Sequence, residues 1–370
     1  MTVYLDLSQF VQDPCLTGIQ RAERALIRHW PGPAPLVPCA YDGASGTMRT
    51  LPSSLMQAIR QEPVTADTAA ELRRLTPYLT PKAPIVPDGA RLLCAELFGD
   101  PGRAAYYHGL AGGPVETFWL VYDFLPWLRP AWFEAGTARR LMPYLRAIQT
   151  VRQVAFISQQ VRDDYLHRVV RRADAGPVIP MGADGLGLER QHWTPERQDV
   201  VMLGTIEPRK NVVPAIRAFQ RLWADGSPAR LTLIGQVTRD AHEEGRLIGQ
   251  LAREKRFRHL SFLADEGVRH AMRHARAMLF PSEGEGYGIP AMEGLHAGIP
   301  AIVAASLPAL DGLPALGQIR LDRVDAASIA GAVQTLCDDD HASRLWAAAA
   351  MLTLPTWQDF AHGVARWIRA

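Results

Sequence analysis

The chain has 370 residues, with 40 Lys and Arg against 38 Asp and Glu, and a formal net charge of +2. This length predicts two domains, and the near-balanced charge gives no indication of nucleic-acid binding. The four cysteines form no Cys-x-x-Cys pair, which predicts reduced thiols and neither a disulfide framework nor a zinc site. No apolar run is long enough to span a membrane, and Asp6 interrupts the apolar N-terminal segment, so we expect a cytoplasmic protein without a signal peptide.

The pattern of apolar residues predicts alternating strands and helices. In the first half we expect strands at 2–7, 35–39, 91–95, 117–122 and 153–157, and helices at 18–30, 54–60, 67–75, 130–149 and 159–170. In the second half we expect strands at 199–204, 230–234, 259–263, 277–281, 300–304 and 317–320, and helices at 212–223, 241–255, 267–274, 290–297, 325–336 and 341–351. Such alternation predicts an α/β protein with parallel sheets covered by helices on both faces.

A polar, irregular stretch at 171–198 is the predicted connection between domains, since it contains Gly176-Pro177 and further glycines. We therefore predict an N-terminal domain at 1–175, a second domain at 176–356 and a last amphipathic helix at 357–370.

In the second half, a buried strand leads into a turn that carries two adjacent cations. The segment is Val201-Met-Leu-Gly-Thr-Ile-Glu-Pro-Arg-Lys-Asn211, followed by a predicted helix. Open α/β sheets bind ligands at the carboxyl ends of their strands. Arg209 and Lys210 suit phosphate oxygens, and positive charge at a helix start is unfavourable unless an anion joins it. An exposed basic helix start is the alternative interpretation.

A second segment, Ser282-Glu-Gly-Glu-Gly-Tyr-Gly-Ile-Pro-Ala-Met-Glu-Gly-Leu-His-Ala-Gly-Ile-Pro300, follows another apolar strand. It combines a glycine-rich turn with a helix whose first turn contains Pro290, and free amides at a helix start bind anions. Glu285 in the turn and Glu293 one turn inside the helix could accept hydrogen bonds from hydroxyl groups beside that anion. This pattern predicts a diphosphate ligand with a sugar on each side. A glycine-rich loop capping a core helix, with two solvated glutamates, is the alternative.

Together these segments resemble the retaining glycosyltransferases of family 4, which have the GT-B fold. The resemblance rests on Gly204-Thr-Ile-Glu-Pro-Arg-Lys-Asn211 and on the paired-glutamate motif Glu285-Gly-Tyr-Gly-Ile-Pro-Ala-Met-Glu293. Further matches, in the order of the family, are Thr17-Gly-Ile-Gln-Arg21, Tyr122-Asp-Phe-Leu-Pro126, Phe156-Ile-Ser158, Pro180-Met-Gly-Ala-Asp184 and Pro355-Thr-Trp357. The opening motif looks most like the bacterial mannosyltransferase-like branch that builds surface polysaccharides.

The resemblance implies two Rossmann-like parallel-sheet domains facing a central cleft, with the final helix crossing back onto the first domain. It implies transfer of a hexose, with mannose from GDP-mannose favoured, from a nucleotide diphosphate sugar with retention at the anomeric carbon. Catalytic roles fall to Arg209, Lys210, Glu285 and Asp123. Donor binding falls to Gly18, Gly204, Gly286, Tyr287, Gly288, Ile289 and Glu293.

Thr17 and Tyr122 are the candidates on the acceptor side of the first domain. Thr17 is also a natural helix N-cap, and Gly18 permits close approach of a ligand. The family commonly has His immediately before the residue that matches Asp123, whereas this chain has Tyr122. His108 could take the place of that histidine, although a surface or core role is the simpler interpretation.

No metal ion or organic cofactor is expected. Asp338-Asp-Asp340 lies between two predicted helices, which favours a solvated turn near a helix start over a metal site. A dinucleotide oxidoreductase is a weak alternative, because neither half has a Gly-x-Gly-x-x-Gly turn after its first strand.

The expected partners are a nucleotide sugar and a glycan or polyprenyl-diphosphate-linked acceptor at the inner face of the cytoplasmic membrane. The segment Trp127-Leu-Arg-Pro-Ala-Trp-Phe133, with Arg139, Arg140 and Arg146, interleaves aromatic and basic residues and could contact that membrane. Its alternative is an ordinary amphipathic helix. Two other functions stay open: a catalytically silent sugar-nucleotide-binding partner in a polysaccharide-assembly complex, and a sugar-nucleotide epimerase.

Overall fold

The structure, a computed structural model, describes residues 2–14, 17–32, 34–61, 68–79, 83–84, 86–173, 175–261 and 263–370. Cys15 and Lys82 lie outside the described residues, as does Phe262 in the predicted strand at 259–263. The chain forms two compact units, Met1–Met181 with Trp357–Ala370 and Gly182–Thr356. The division follows Met181, a few residues beyond the predicted boundary at 175/176, and the final helix groups with the first unit.

The first unit contains a mostly parallel sheet. Its described strands are β1 (Val3–Asp6), β2 (Leu36–Asp42), β3 (Thr47–Thr50), β4 (Ala83–Pro84), β5 (Arg91–Cys94), β6 (Glu116–Val121) and β7 (Gln153–Phe156), in the spatial order β4-β3-β2-β1-β5-β6-β7. β3 and β4 are antiparallel to their neighbours, and the other pairs are parallel. The antiparallel edge was not predicted from the sequence.

The second unit contains a fully parallel sheet in the described residues. Its strands are β8 (Asp199–Leu203), β9 (Arg230–Ile234), β10 (Phe257–Leu260), β11 (Ala275–Phe280), β12 (Ala301–Ala304) and β13 (Gln318–Leu321), in the order β10-β9-β8-β11-β12-β13. Every residue of β11 is buried, as expected for a parallel strand covered on both faces. β10 begins two residues before its predicted start.

Helices cover both sheets. In the first unit they are α1 (Ser8–Gln12), α2 (Gly18–His29), α3 (Ser53–Gln61), α4 (Thr68–Leu75), α5 (Pro101–Gly109), α6 (Leu125–Leu128), α7 (Thr137–Arg140), α8 (Met142–Ile148) and α9 (Gln159–Asp163), which continues as a π-helix at Asp164–Val169. In the second they are α10 (Val212–Ala224), α11 (His242–Gln250), α12 (Asp265–Arg273), α13 (Ile289–His296), α14 (Ala326–Cys337) and α15 (Asp339–Ala349); the last helix, α16 (Trp357–Arg369), belongs to the first unit.

The single helix predicted at 130–149 is wrong. This segment contains a 3₁₀ turn at Pro130–Trp132 and then the short helices α7 and α8. Gly136 precedes α7 with a φ of 88°, which an α-helix does not allow, and Pro143 lies in the first turn of α8. The helices α1 and α5 were not predicted, although Asp100 caps α5 by accepting a hydrogen bond from the Arg103 amide at 2.7 Å.

Candidate functional site

The cation-bearing turn lies at the carboxyl end of β8. Gly204 follows the strand with a φ of 135°, and Pro208–Lys210 forms a 3₁₀ turn. Asn211, in a left-handed conformation with a φ of 56°, ends this turn and precedes α10. Its amide nitrogen Nδ2 donates to the Pro281 carbonyl at 2.9 Å. This hydrogen bond joins the turn after β8 to the end of β11, so the cation-bearing turn and the glycine-rich segment lie side by side.

Glu285 is the point at which the segments join. Lys210 Nζ donates to Glu285 Oε1 at 2.5 Å, and Arg209 Nη1 lies 3.0 Å from the same oxygen. Ser282 Oγ also donates to Oε1 at 2.5 Å. All three groups use Oε1, so Oε2 is the oxygen through which Glu285 could accept a hydrogen bond from a ligand hydroxyl.

Arg209 is held on several sides. Its Nη1 donates to the Gly284 carbonyl at 2.5 Å, and its Nη2 lies 2.6 Å from the Glu207 carboxylate. The Glu283 amide donates to the Arg209 carbonyl at 2.8 Å. These contacts fix the guanidinium beside Lys210, so the two cations are positioned before any ligand binds.

The pKa values of Glu285 and Lys210 are both below their usual values, for different reasons. Burial is the largest influence on Glu285 and would raise its pKa, but Lys210 and Arg209 outweigh it, and the net pKa is below its usual value. Burial lowers the pKa of Lys210, and Glu285 only partly offsets this effect while Arg209 adds to it. The pKa of the half-buried Lys210 is therefore below its usual value, and an anion beside it would stabilise its charge.

The helix α13 begins beside this cluster. Gly288 precedes it with a φ of 113°, and a Cβ at this position would lie 2.6 Å from Leu307 Cδ1. Pro290 is in the first turn, as predicted. Gly286, Tyr287 and Gly288 are buried, and Ile289 is half-buried. Burial raises the pKa of Tyr287 far above its usual value, so its hydroxyl stays protonated.

Glu293 lies one turn inside α13 and is 1% exposed. Its carboxyl is therefore inside the unit, and a ribose could reach it only if neighbouring atoms moved. Closer to the cations, a narrow cavity of about 20 Å³ is lined by Gly204, Thr205, Lys210, Phe280 and Ser282 among others. Lys210 Nζ lies 4.9 Å from the centre of the Phe280 ring, which covers one side of the ammonium.

In the first unit, Thr17 and Gly18 begin α2. The Gln20 amide donates to Thr17 Oγ1 at 3.4 Å, so Thr17 is the N-cap. Asp123 accepts from the Leu125 amide at 2.9 Å just after β6. Tyr122 is 7% exposed, and burial, with a contribution from Glu23, raises the pKa of its hydroxyl well above the usual value. Tyr122 thus keeps its proton at neutral pH.

Sequence reasoning missed a buried charged cluster around the start of α1. Arg103 lies 2.5 Å from both Asp6 and Glu96, and all three are almost fully buried. Glu96 also accepts from the amides of Gln9 and Phe10, each at 2.8 Å. These residues are far apart in the sequence, and no local motif signals that they meet.

Glu23 adds a third carboxyl to this cluster. It is 0% exposed, and no N–H or O–H donor of the described protein reaches its oxygens. Burial and a neighbouring carboxylate both disfavour the charged form of a carboxyl group. Burial, and then Glu96, raise the pKa of Glu23 well above its usual value. Glu23 is therefore the neutral member, because Glu96 has its own donors.

The remaining sequence candidates lie elsewhere. His108 is exposed on α5. Asp338 caps α15 by accepting from the His341 amide at 2.8 Å, which confirms the predicted turn.

In the part of the chain that the structure describes, no group of three or more His, Cys, Asp or Glu side chains could hold a metal ion. Cys39 and Cys94 are buried free thiols, and Cys337 is a half-buried one.

The aromatic and basic segment is partly packed. Trp127 stacks on Tyr144 with ring centres 6.1 Å apart and an angle of 13° between the planes. Trp132 is half-buried beneath Arg129, and Arg139, Arg140 and Arg146 are exposed. None of the described helices combines the length and apolar character needed to cross a membrane.

Comparison with known proteins finds glycosyltransferase relatives. Residues 189–351 match the family described as "Glycosyl transferases group 1". The chain is 22% identical to the serotype-specific mannosyltransferase WbdA of Escherichia coli over 322 residues, covering 81% of this chain and 38% of that protein. It is 33% identical to the O-antigen chain mannosyltransferase B of Escherichia coli over 141 residues, covering 37% of this chain and 36% of that protein.

The chain thus spans well under half the length of these two relatives. Among solved structures, Anabaena Alr3699/HepE in complex with UDP and glucose is similar, with a TM-score of 0.67, 15% identity, and coverage of 99% of this chain and 98% of that chain. The similarity extends over both units, which shows that they share the fold of that protein. The chain therefore has the GT-B fold with two Rossmann-like parallel-sheet units, and residues 189–351 match the group 1 glycosyl transferase family.

Proposed function

We propose that the protein is a retaining, metal-independent hexosyltransferase that moves mannose from a nucleotide diphosphate sugar to a glycan or polyprenyl-diphosphate-linked acceptor. The observation that carries the proposal is the convergence of Arg209, Lys210 and Glu285 beside the start of α13. The mannosyltransferase relatives favour mannose, and the family resemblance favours retention.

The cations would act on the leaving diphosphate. Breaking the sugar–phosphate bond builds negative charge on the phosphate oxygens, and Arg209 and Lys210 would hold those oxygens more strongly as the charge grows. Lys210 is the stronger candidate because partial burial lowers its pKa, so that an added anion would stabilise its charge. The amides of Gly286, Tyr287 and Gly288 lie in the turn before α13 and would assist.

The two glutamates would recognise hydroxyl groups. Glu285 would accept from the donated sugar through Oε2, since Oε1 holds Lys210, Arg209 and Ser282. Glu293 would accept from the ribose of the nucleotide after local movement uncovers its carboxyl. The acceptor proton would pass to a phosphate oxygen of the donor, so neither glutamate needs to act as a base.

Thermal-shift measurements with GDP-, UDP-, dTDP- and ADP-sugars test this proposal. Ligand binding raises the apparent stability by mass action, so the true donor should raise the melting temperature above the others. Turnover of the labelled donor then separates a transferase from a silent binding partner. An epimerase would convert the sugar nucleotide without any acceptor. No shift with any nucleotide sugar would refute the proposal.

The protein would bind its acceptor at the inner face of the cytoplasmic membrane. There the exposed Arg139, Arg140 and Arg146 could contact anionic lipids. Co-sedimentation with anionic and neutral liposomes at low and high salt tests this contact. We expect salt-sensitive binding to anionic liposomes only. Equal sedimentation with both kinds of liposome, or none, would favour a soluble acceptor.

A further inference from the structure

A second cavity lies in the second unit, away from the proposed donor site. Its volume is about 810 Å³, and all its lining residues belong to that unit. Asp199 and Arg230, the first residues of β8 and β9, lie on its wall with Arg258 of β10. The cavity is thus at the amino-terminal edge of the sheet. The donor site is at the opposite edge, about 16 Å away along β8.

Arginines dominate the charge of this cavity. The lining contains four arginines and three carboxylates: Arg197, Arg230, Arg258, Arg273, Glu196, Asp199 and Glu266. Two of the arginines are ion-paired, Arg258 with Asp199 at 3.0 Å and Arg273 with Glu266 at 2.8 Å. In these pairs two guanidinium groups lie on the wall with their charge offset by a carboxylate.

The other two arginines, Arg197 and Arg230, face one remaining lining carboxylate, Glu196, so the lining has a formal excess of one positive charge. Arg197 donates to the carbonyls of His192 at 3.0 Å and Ala275 at 3.1 Å, and its guanidinium lies 4.7 Å from the Trp346 ring centre. Arg230 is exposed, and among the described residues it makes no ion pair. Carbonyls and an aromatic ring orient a guanidinium without neutralising it, so the concave wall attracts anions.

Two histidines complete the polar lining. His270 and His274 lie one helical turn apart around the end of α12, and their ring centres are 4.8 Å apart. Each imidazole offers a nitrogen that can donate a hydrogen bond to an acceptor oxygen. Arginine forks and imidazoles around one cavity form a donor set that suits the oxygens of a phosphate group.

From this arrangement we infer a second ligand site, which binds a phosphate-bearing small molecule at the amino-terminal edge of the second sheet. The cavity volume is within the range of small-molecule sites, about 300–1,000 Å³. The site does not depend on the proposed transferase activity, because it shares no lining residue with the cluster at Lys210.

Pyrophosphate binding measured by calorimetry tests this inference. The Lys210→Ala protein serves as the background, because this substitution removes one of the two cations of the proposed donor site. Arg230→Glu reverses an unpaired charge in the cavity, and Arg253→Glu is the matched control, since Arg253 is an exposed arginine of the same unit outside the cavity lining. Both substitutions alter exposed side chains, so we expect both proteins to fold.

We expect the Lys210→Ala protein to bind pyrophosphate, Arg230→Glu to weaken that binding at least about tenfold, and Arg253→Glu to leave it within about twofold. Absence of binding in the Lys210→Ala background would overturn the inference. Equal weakening by both arginine substitutions would also overturn it, because the effect would then be one of overall charge. Arg230-dependent binding to anionic phospholipid vesicles without binding to pyrophosphate would replace the small molecule with a membrane surface.

Discussion

Replacement of Glu23 by Gln should change how stability depends on pH. In the native protein Glu23 is 0% exposed and is influenced electrostatically by Glu96, Arg103 and Asp6, of which Asp6 and Glu96 already share the Arg103 guanidinium. Tyr122 also faces it, and adds no charge because its pKa is raised. A charged Glu23 would place a third carboxylate against one cation, so burial and Glu96 together raise the pKa of Glu23.

The raised pKa of Glu23 determines whether stability rises or falls with pH. The unfolded chain loses the Glu23 proton near pH 4.3, an ordinary glutamate value, whereas the folded protein keeps it to higher pH. The stabilising contribution is therefore complete below about pH 4.3 and is lost as the pH rises toward the folded pKa. Within that window the free energy of unfolding should fall by about 1.4 kcal/mol per pH unit.

Glutamine resembles the neutral acid in shape and cannot ionise. The Glu23→Gln substitution should therefore keep the fold and remove the pH-dependent contribution of Glu23 to the free energy of unfolding. Urea unfolding of the wild-type and variant proteins across a pH series measures the difference. Glu283→Gln is the control, since Glu283 is exposed. Identical pH slopes for wild type and Glu23→Gln would refute the assignment of the proton.

Three further predictions concern the second unit and the chemistry. Glu285→Gln should chiefly lower kcat and alter the choice of donor sugar, whereas Glu293→Gln should weaken the binding of nucleoside diphosphates. Equal affinity of the wild type and Glu293→Gln for a nucleoside diphosphate would exclude the role of Glu293 in binding the ribose. Gly235→Ala should lower the urea midpoint clearly, because Gly235 has a φ of 146° and its Cβ would lie 2.0 Å from the Gly204 carbonyl oxygen; an unchanged midpoint would contradict this close approach. Sugar transfer should continue in the presence of EDTA, because Arg209 and Lys210 would neutralise the charge of the phosphates. A loss of activity with EDTA that Mg²⁺ or Mn²⁺ restores would contradict the proposal.

The strands and the site motifs of the second unit were predictable because their signals are local. The buried run of β11, Pro290 at the start of α13 and the cation turn before Asn211 each lie within a few residues. The meeting of Lys210 with Glu285 was predictable in outline, since parallel strands end at one edge of a sheet. The shared oxygen Oε1 was not, because side-chain geometry is absent from the sequence.

The errors also have physical causes. The predicted helix at 130–149 ignored Gly136 and Pro143, whose backbone preferences interrupt the apolar pattern. The helix α5 could have been found from Asp100-Pro101, an N-cap followed by a proline in the first turn. The electrostatic influence of Glu96 on Glu23 was beyond prediction, because it acts between distant segments and depends on burial.

The most direct test of the central claim is turnover of labelled nucleotide sugars by three proteins: wild type, Lys210→Ala and Lys255→Ala. Lys255 is an exposed lysine of the same unit and serves as the matched control. With acceptor extracted from membranes, we expect wild type and Lys255→Ala to transfer the sugar equally. Lys210→Ala should be slower by about one to three orders of magnitude, at about 1.4 kcal/mol of barrier per tenfold. No transfer by wild type from any of the four nucleotide sugars, or full activity in Lys210→Ala, would contradict the account.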